Sequence, residues 1–404
     1  MSDPGWTYVE RWWPGDPGAP GGKANRAGFT YTAYVPGEIG VWAPNLPAAV
    51  AADAARAETA VRVLGRHGPQ LRVPTWPLLR SEAIASSRIE GLAVSHHRLA
   101  LADIGGTDAL AKEVHANLAA LERALSAADA PVTPAVIRAI HRILLESTRH
   151  GAIAGSLRDR QTWIGGRHGN PRGATLVPPP AGDVERLLGD LCVFIDRDDV
   201  PPLIQAAVAH VQFETIHPFA DGNGRVGRAL IHLVLRRRGV IDREAPVIPP
   251  ISLVIAGSSD AYVVGLSAFR TGDHRTWFEF IIDAAYRAAG IAENLVGRVA
   301  ELKDDWLAQA GSPRRASATR LLVERLPERP VIALADAIEL TGTSHQAARV
   351  AINRLAEAGV IREITGKRRL RRWEAVGLFA LLDEIEGDVA VRRTRRLPTG
   401  SPRR

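Results

Sequence analysis

Two long helical stretches, Pro202 to Thr215 and Asn223 to Arg238, meet at the segment His217 to Arg228, HPFADGNGRVGR, and this junction constrains the chain more than any other feature. One helix ends there and another starts, with Gly222 and Gly224 allowing close backbone approach to a ligand. Amide N–H groups in the first turn of a helix lack intrahelical acceptors, and with the helix dipole they form an anion site. Arg225 and Arg228 are three residues apart, so they share a face and can reach the same polyphosphate. Asp221 is a hard acid suited to Mg²⁺, which prefers one or two carboxylates plus phosphate oxygens. His217, at the mouth of the loop, is then the candidate base. A glycine pair or a lone histidine also fits an ordinary structural turn. The combination, however, supplies the separate parts of phosphoryl-transfer chemistry within one short segment.

Most of the remaining periodicity is helical. Pro47 to Arg66, Trp76 to Gly91, Lys112 to Ala127, and Pro134 to Thr148 with Thr133 as N-cap read as helices before the junction, as does Asp183 to Asp196. Ala261 to Phe269 and His274 to Leu295 follow it. Between Gly155 and Pro180 the pattern changes. Trp163, Ile164, Gly165 and Gly166, then Ala174, Thr175, Leu176 and Val177, read as two short extended pieces around a polar turn, a hairpin-like flap closed by three prolines. Residues 1–26 are crowded with Gly and Pro, show no apolar period, and read as a mobile arm or an irregular strap without chemistry.

Cys192 is the one cysteine, which rules out an intrachain disulfide and points to a reducing compartment, by default the cytoplasm. The first residues lack the basic and apolar regions of a signal peptide, and no apolar run is long enough to span a bilayer, so a soluble protein is expected.

The formal charge of +7 is unevenly placed: residues 311–404 hold 19 Lys+Arg against 11 Asp+Glu, and the remainder 32 against 33. Leu334 to Leu340, the turn Thr341-Gly342-Thr343, and Ser344 to Glu357 have the lengths of a helix-turn-helix, with Gly359 to Trp373 as a hairpin wing. The wing carries Arg362, Lys367, Arg368, Arg369, Arg371 and Arg372. Ser344, Gln346, Arg349 and Asn353 lie along one potential outer face of the second helix, and Ala348, Ile352 and Leu355 face inward. Ser344, Gln346, Arg349, Lys367 and Arg368 are therefore the candidate DNA contacts, since clustered cations gain by releasing counterions. A solvated basic face, or a winged helix that binds protein or dimerises, accounts equally well for the same residues.

At the junction the sequence resembles the Fic family, whose core signature is HPF, any residue, Asp or Glu, GNGR, two residues and Arg. His217, Pro218, Phe219, Asp221, Gly222, Asn223, Gly224, Arg225 and Arg228 fill every specified position. The resemblance extends over most of the chain. It implies a mostly α fold, in which a Fic-type helical core with a short β-hairpin flap is followed by a C-terminal winged helix. The blocks expected are a Gly/Pro-rich arm (1–26), an N-terminal region with an inhibitory helix (27–110), the catalytic core (111–300), the winged helix-turn-helix (301–385) and a basic tail (386–404). The implied activity moves AMP from ATP to a Ser, Thr or Tyr hydroxyl. Asp221 would hold Mg²⁺, the amides at Gly222 to Gly224 with the Asn223 and Arg225 side chains would cradle phosphates, and His217 would take the hydroxyl proton. Phe219 would seat the loop, and the flap, Trp163 to Val177, would dock the target as an added strand.

Ser86, Glu90 and Gly91 fit the family's inhibitory motif, Ser or Thr, three residues, Glu, then Gly or Asn. In such members the glutamate pairs with the second signature arginine, here Arg228, and blocks seating of the γ-phosphate. The expected partners are ATP, a hydroxyl-bearing target that includes the chain itself, DNA through the C-terminal part and a second copy of the chain, but not a membrane. Relatives that move UMP, phosphocholine or phosphate, or that remove AMP, supply the rival chemistries, and a regulator whose core only senses nucleotide supplies a rival class. The base pocket is placed near Tyr262. His210, Trp277 and Phe280 read as packing residues, and His168 as a residue of the flap tip.

Overall fold

The computed structural model describes residues 4–15, 18, 22, 26–71, 75–166, 169–244, 247–365 and 371–391. In chain order the elements are β1 (Trp6–Trp13), β2 (Phe29–Pro36), α1 (Ala48–Leu71), α2 (Thr75–Ile89), α3 (His96–Asp103), α4 (Ala109–Ser126), α5 (Pro134–Leu145), α6 (Val184–Ile195) and α7 (Pro202–Ile216). They continue with α8 (Asn223–Arg237), α9 (Ile251–Ala256), α10 (Ser259–Arg270), α11 (His274–Gln309), α12 (Ala318–Arg325), β3 (Val331–Ala333), α13 (Leu334–Thr341), α14 (His345–Glu357), β4 (Ile361–Glu363), β5 (Arg372–Ala375) and α15 (Leu378–Val391). Two compact units interleave along the chain: residues 1–58, 119–240 and 260–283 form the first, and 59–118, 241–259 and 284–404 the second.

The first unit is organised around α7, which is buried from Leu203 to Ile216 on every side. Its partner α8 lies against it closely because position 227 is glycine: a Cβ there would sit 2.9 Å from Glu214 Oε1 and 3.1 Å from both His210 Nδ1 and Phe213 Cδ1. Around the pair, α6 contributes an apolar stripe of Val184, Leu187, Leu188, Leu191, Phe194 and Ile195. Helix α5 starts as its sequence predicts, with Pro134 in the first turn and Thr133 accepting from the Val136 amide at 3.4 Å. Trp277 is fully buried and its indole N–H donates to Ala207 O at 2.9 Å.

Residues 6–13 form a regular strand where the sequence led us to expect a mobile arm or an irregular strap. Strand β1 pairs antiparallel with β2 over their whole length, from Trp6 opposite Pro36 to Trp13 opposite Phe29. The Gly and Pro around it mask a run, WTYVERWW, rich in the aromatic and β-branched residues that strands favour, and its partner lies beyond the expected boundary.

In the second unit, α2 is tied to α9 by Glu82, which accepts from the Ser252 amide at 2.8 Å and from the Ser252 hydroxyl. Asn117 donates to Ala83 O and Ser87 Oγ, at 2.9 and 3.1 Å. Ile84, Val94, Leu99, Ala111 and Val114 form one apolar cluster there. Further on, α13 ends at Gly342 (φ 61°), α14 follows after Thr343 and Ser344, and the antiparallel sheet has the order β3-β5-β4.

Candidate active site

The signature loop is built by the way α7 stops. His217 adopts the left-handed conformation, φ 49° and ψ 60°, and Gly222 does so again at φ 78° just before α8. A left-handed backbone is strained for histidine and easy for glycine, so the loop has to be held by its surroundings. Arg158 supplies much of that hold. Its Nε donates to His217 O at 2.8 Å and its two terminal nitrogens to Arg160 O, Pro179 O and Ile216 O at 3.1, 2.5 and 3.3 Å, while its amide donates to Pro218 O at 2.9 Å. One cation thus caps the negative end of α7 and binds it to the proline run at the base of the flap. Burial pulls the Arg158 guanidinium down to about 10, which leaves it charged at neutral pH.

Inside the loop, Asn223 faces its own backbone. Its Oδ1 accepts from the Phe219 amide and its Nδ2 donates to Phe219 O, both at 2.9 Å, and the residue is 2% exposed. Both polar atoms thus brace the turn, a role not expected from the sequence. Phe219 is fully buried, as an anchor should be. His141 of α5 lies flat on it, ring centroids 3.7 Å apart and planes 4° off parallel. The Gly155 amide donates to His141 Nδ1 at 2.9 Å, so Nε2 carries the proton and donates to Asp221 O at 3.0 Å.

Burial pulls the His141 pKa from 6.5 to about 4. The unfolded chain takes up this proton from near pH 6.5 and the folded one only near 4. The stability that goes with the neutral ring is therefore complete above pH 6.5 and lost as the pH falls through 4, by about 3 kcal/mol at most. His141→Phe keeps the ring but strands the Asp221 carbonyl and the Gly155 amide, and should cost about 1–3 kcal/mol near neutrality. Urea unfolding across pH 4–7.5 should give the variant a shallower acid decline than the parent; identical slopes would rule out His141 as the source.

The chemistry-bearing side chains gather at this loop. His217 is partly exposed, and its Nδ1 lies 3.9 Å from Glu214 Oε2. The Asp221 carboxylate is 43% exposed, 3.9 Å from the Arg225 guanidinium and 3.7 Å from His150 Nε2. Arg225 and Arg228 are buried on α8, and Gly222 and Gly224 flank its first residue. A Cβ at Gly222 would come within 3.0 Å of Leu144 Cδ2, so this glycine serves packing as well as its φ. His141, Arg158, His150 and Glu214 were not legible as site residues, because each reaches the loop from another element or from the preceding helix turn.

The flap is smaller than a hairpin. Ile164 and Leu176 form one antiparallel bridge, with Ile164 N donating to Leu176 O and Thr175 N to Ile164 O, both at 2.8 Å, and Gly165 and Gly166 at φ 72° and 74° turn the chain. It leans on the N-terminal hairpin: Tyr34 N donates to Val177 O at 2.8 Å, and Trp13 packs edge-on against Trp163 with centroids 5.5 Å apart. His168 lies outside the described residues.

Tyr262, near which the base pocket is expected, is a buried residue. It is 6% exposed among Trp277 and Phe280, and its hydroxyl pairs with His210 Nε2 at 2.8 Å. His210 is fully buried, which pulls its pKa down to about 3, consistent with a packing residue. In the second unit, Ser86 is buried in α2, Glu90 is exposed in the turn after it, and Gly91 has φ 83°. On α14, Gln346, Arg349 and Asn353 are exposed and Ala348, Ile352 and Leu355 buried, as expected. Ser344 instead caps the helix by accepting from the Ala347 amide at 3.3 Å. Arg362 pairs with Glu374 and Arg371 with Glu363; Lys367, Arg368 and Arg369 lie outside the described residues.

Comparison with known proteins agrees with this geometry. Residues 131–235 match the Fic/DOC family model and 49–126 the Fic/DOC family N-terminal model. The Protein adenylyltransferase Fic of Aedes aegypti is 27% identical over 226 residues, 55% of this chain and 39% of that protein. Its namesake from Nematostella vectensis is 26% identical over 220 residues, 53% of this chain and 44% of that protein. The match thus spans about two fifths of these relatives' length. The crystal structure of a Fic family protein from Desulfovibrio desulfuricans G20, 22% identical, superposes with a TM-score of 0.52 over 83% of this chain and 98% of that one, so the fold is shared. With two family models over 49–126 and 131–235 and the full signature on the α7–α8 junction, the chain is a Fic/DOC family protein.

Proposed function

We propose that the chain is a protein adenylyltransferase, moving AMP from ATP to a Ser, Thr or Tyr hydroxyl. The observation that carries this reading is the junction itself, where His217, Asp221, Arg225 and the start of α8 converge on one loop. The relatives named as adenylyltransferases support the choice of group transferred. His217 takes the proton as the target oxygen attacks the α-phosphorus; the bond from that phosphorus to the bridging oxygen breaks and pyrophosphate leaves. Gly222 to Gly224 amides and the Arg225 and Arg228 side chains bind phosphate oxygens, and Asn223 keeps the loop in shape for them. Flap residues Trp163 to Val177 align the target backbone by strand addition.

Asp221 is the residue that would hold Mg²⁺. A single, half-exposed carboxylate fits an ion that takes its other ligands from phosphate and water, and the described residues hold no cluster of three His, Cys, Asp or Glu for a protein-only site. When bound, the ion draws negative charge off the phosphates.

The chain is largely self-inhibited in this reading, with Glu90 competing for Arg228. Incubating the purified chain with ATP and Mg²⁺ and weighing it intact tests the chemistry: one added adenylyl group is expected, and a gain of phosphate or UMP, the latter with UTP, would assign another transfer.

A second reading, that the C-terminal elements contact DNA, rests on the exposed Gln346, Arg349 and Asn353 of α14. Ion pairing at Arg362 and Arg371 reduces the charge available to it. Binding to duplex DNA should weaken steeply as salt rises; no retention at low salt removes this reading.

A further inference from the structure

We propose that the C-terminal helix α15 latches the end of α2 that carries the inhibitory motif, so that its seating sets how strongly Glu90 restrains transfer. This rests on the self-inhibition reading above. The latch is Glu386. Its Oε2 accepts from Arg88 at 2.6 Å and its Oε1 pairs with His96 Nε2 at 2.7 Å. Arg88 sits between Ser86 and Glu90 in the motif, and His96 is the first residue of α3, so one carboxylate spans the connection on which Glu90 and Gly91 lie.

This carboxylate is enclosed. Glu386 is 9% exposed and His96 1%, with Ser81 Oγ 3.4 Å from His96 Nε2. Burial alone would raise the Glu386 carboxyl, but the His96 hydrogen bond and the charges of His96 and Arg88 outweigh it and keep it below its ordinary value. Only the carboxylate side of the pair is enclosed, since Arg88 is 41% exposed; an enclosed carboxylate stripped of its cation is left uncompensated, so it keeps Arg88 in place while α15 is docked and frees it when it is not.

The rest of α15 is seated in the same unit. Leu378, Leu381, Leu382 and Ile385 are buried, Arg298 makes a two-pronged pair with Glu384 at 3.0 Å on each arm, and Phe379 packs edge-on against His97 of α3 with ring centroids 5.1 Å apart. A terminal helix held by a short apolar face and a few ion pairs belongs to the part of a fold that opens first. Whatever loads or displaces the elements after residue 311 is thereby transmitted to the turn bearing Glu90.

The test uses the full chain and self-labelling with radiolabelled ATP and Mg²⁺. Glu386→Gln is expected to raise labelling roughly fivefold or more over the parent, the range of a modest coupling between sites. In the Glu90→Gly background the same change should alter labelling by less than about twofold, since the brake it acts through is gone. Glu384→Gln, which loosens α15 without touching Arg88, should raise labelling in the parent as well, and hydrogen exchange at residues 86–95 should increase in both variants. Labelling at the parent level in both, with Glu90→Gly strongly raised, overturns the latch alone. An equal rise from Glu386→Gln in the Glu90→Gly background also overturns it, because the effect then lies elsewhere. No rise from Glu90→Gly itself removes the brake reading and the latch together.

Discussion

His217→Ala is expected to lower transfer by roughly 10²- to 10⁴-fold while ATP binding stays measurable, the usual worth of a positioned general base. The expectation follows from where the side chain stands. It is partly exposed at the end of α7, beside the Glu214 carboxylate and close in sequence to the helix start that would receive phosphate. The groups proposed to bind phosphate, namely the α8 amides and the two arginines, do not depend on the imidazole. Removing the ring should therefore silence the proton transfer and spare the nucleotide. Labelling with radiolabelled ATP, alongside calorimetric titration with ATP, separates the two; labelling near the parent level would assign the base to another residue. The backbone at 217 is already left-handed and held by Arg158, so the loop is expected to keep its shape in the variant.

The second large effect runs in the opposite direction. Glu90→Gly should raise self-labelling by roughly 5- to 150-fold, the span of typical coupling energies between two sites. Glu90 is an exposed residue in the turn after α2, outside the apolar cluster of that unit, and the glycine that follows already accommodates a positive φ. Substitution there costs little packing, so a change in activity reports the loss of the carboxylate. Circular dichroism should match the parent. Equal or lower labelling with an intact fold would end the self-inhibition reading.

How much was legible beforehand depended on the range of the interaction. The helix start at Thr133-Pro134, the polar and apolar faces of α14 and the loop between α7 and α8 were readable, because capping, periodicity and a helix break act within a few residues. The strand at Trp6–Trp13 was not, since its partner lies more than a dozen residues on and Gly and Pro dominate the sequence between. The bracing role of Asn223 was hidden for a related reason: a side chain that can bind phosphate can also close a turn, and only the fold places Phe219 against it. Tyr262 likewise has a hydroxyl suited to a ligand, but the chain brings His210 to it first.

The sequence by itself determined the family, the signature loop and the candidate chemistry of His217, Asp221, Arg225 and Arg228, because their spacing on one loop and one helix turn fixes their proximity. Only the tertiary structure decided what holds that loop and what reaches the segment that carries Ser86, Glu90 and Gly91. His141 and Arg158 come to the signature from tens of residues away, and Glu386 comes to Arg88 across 298 positions. Contacts of that range follow from the packing of whole helices, so no local pattern announces them.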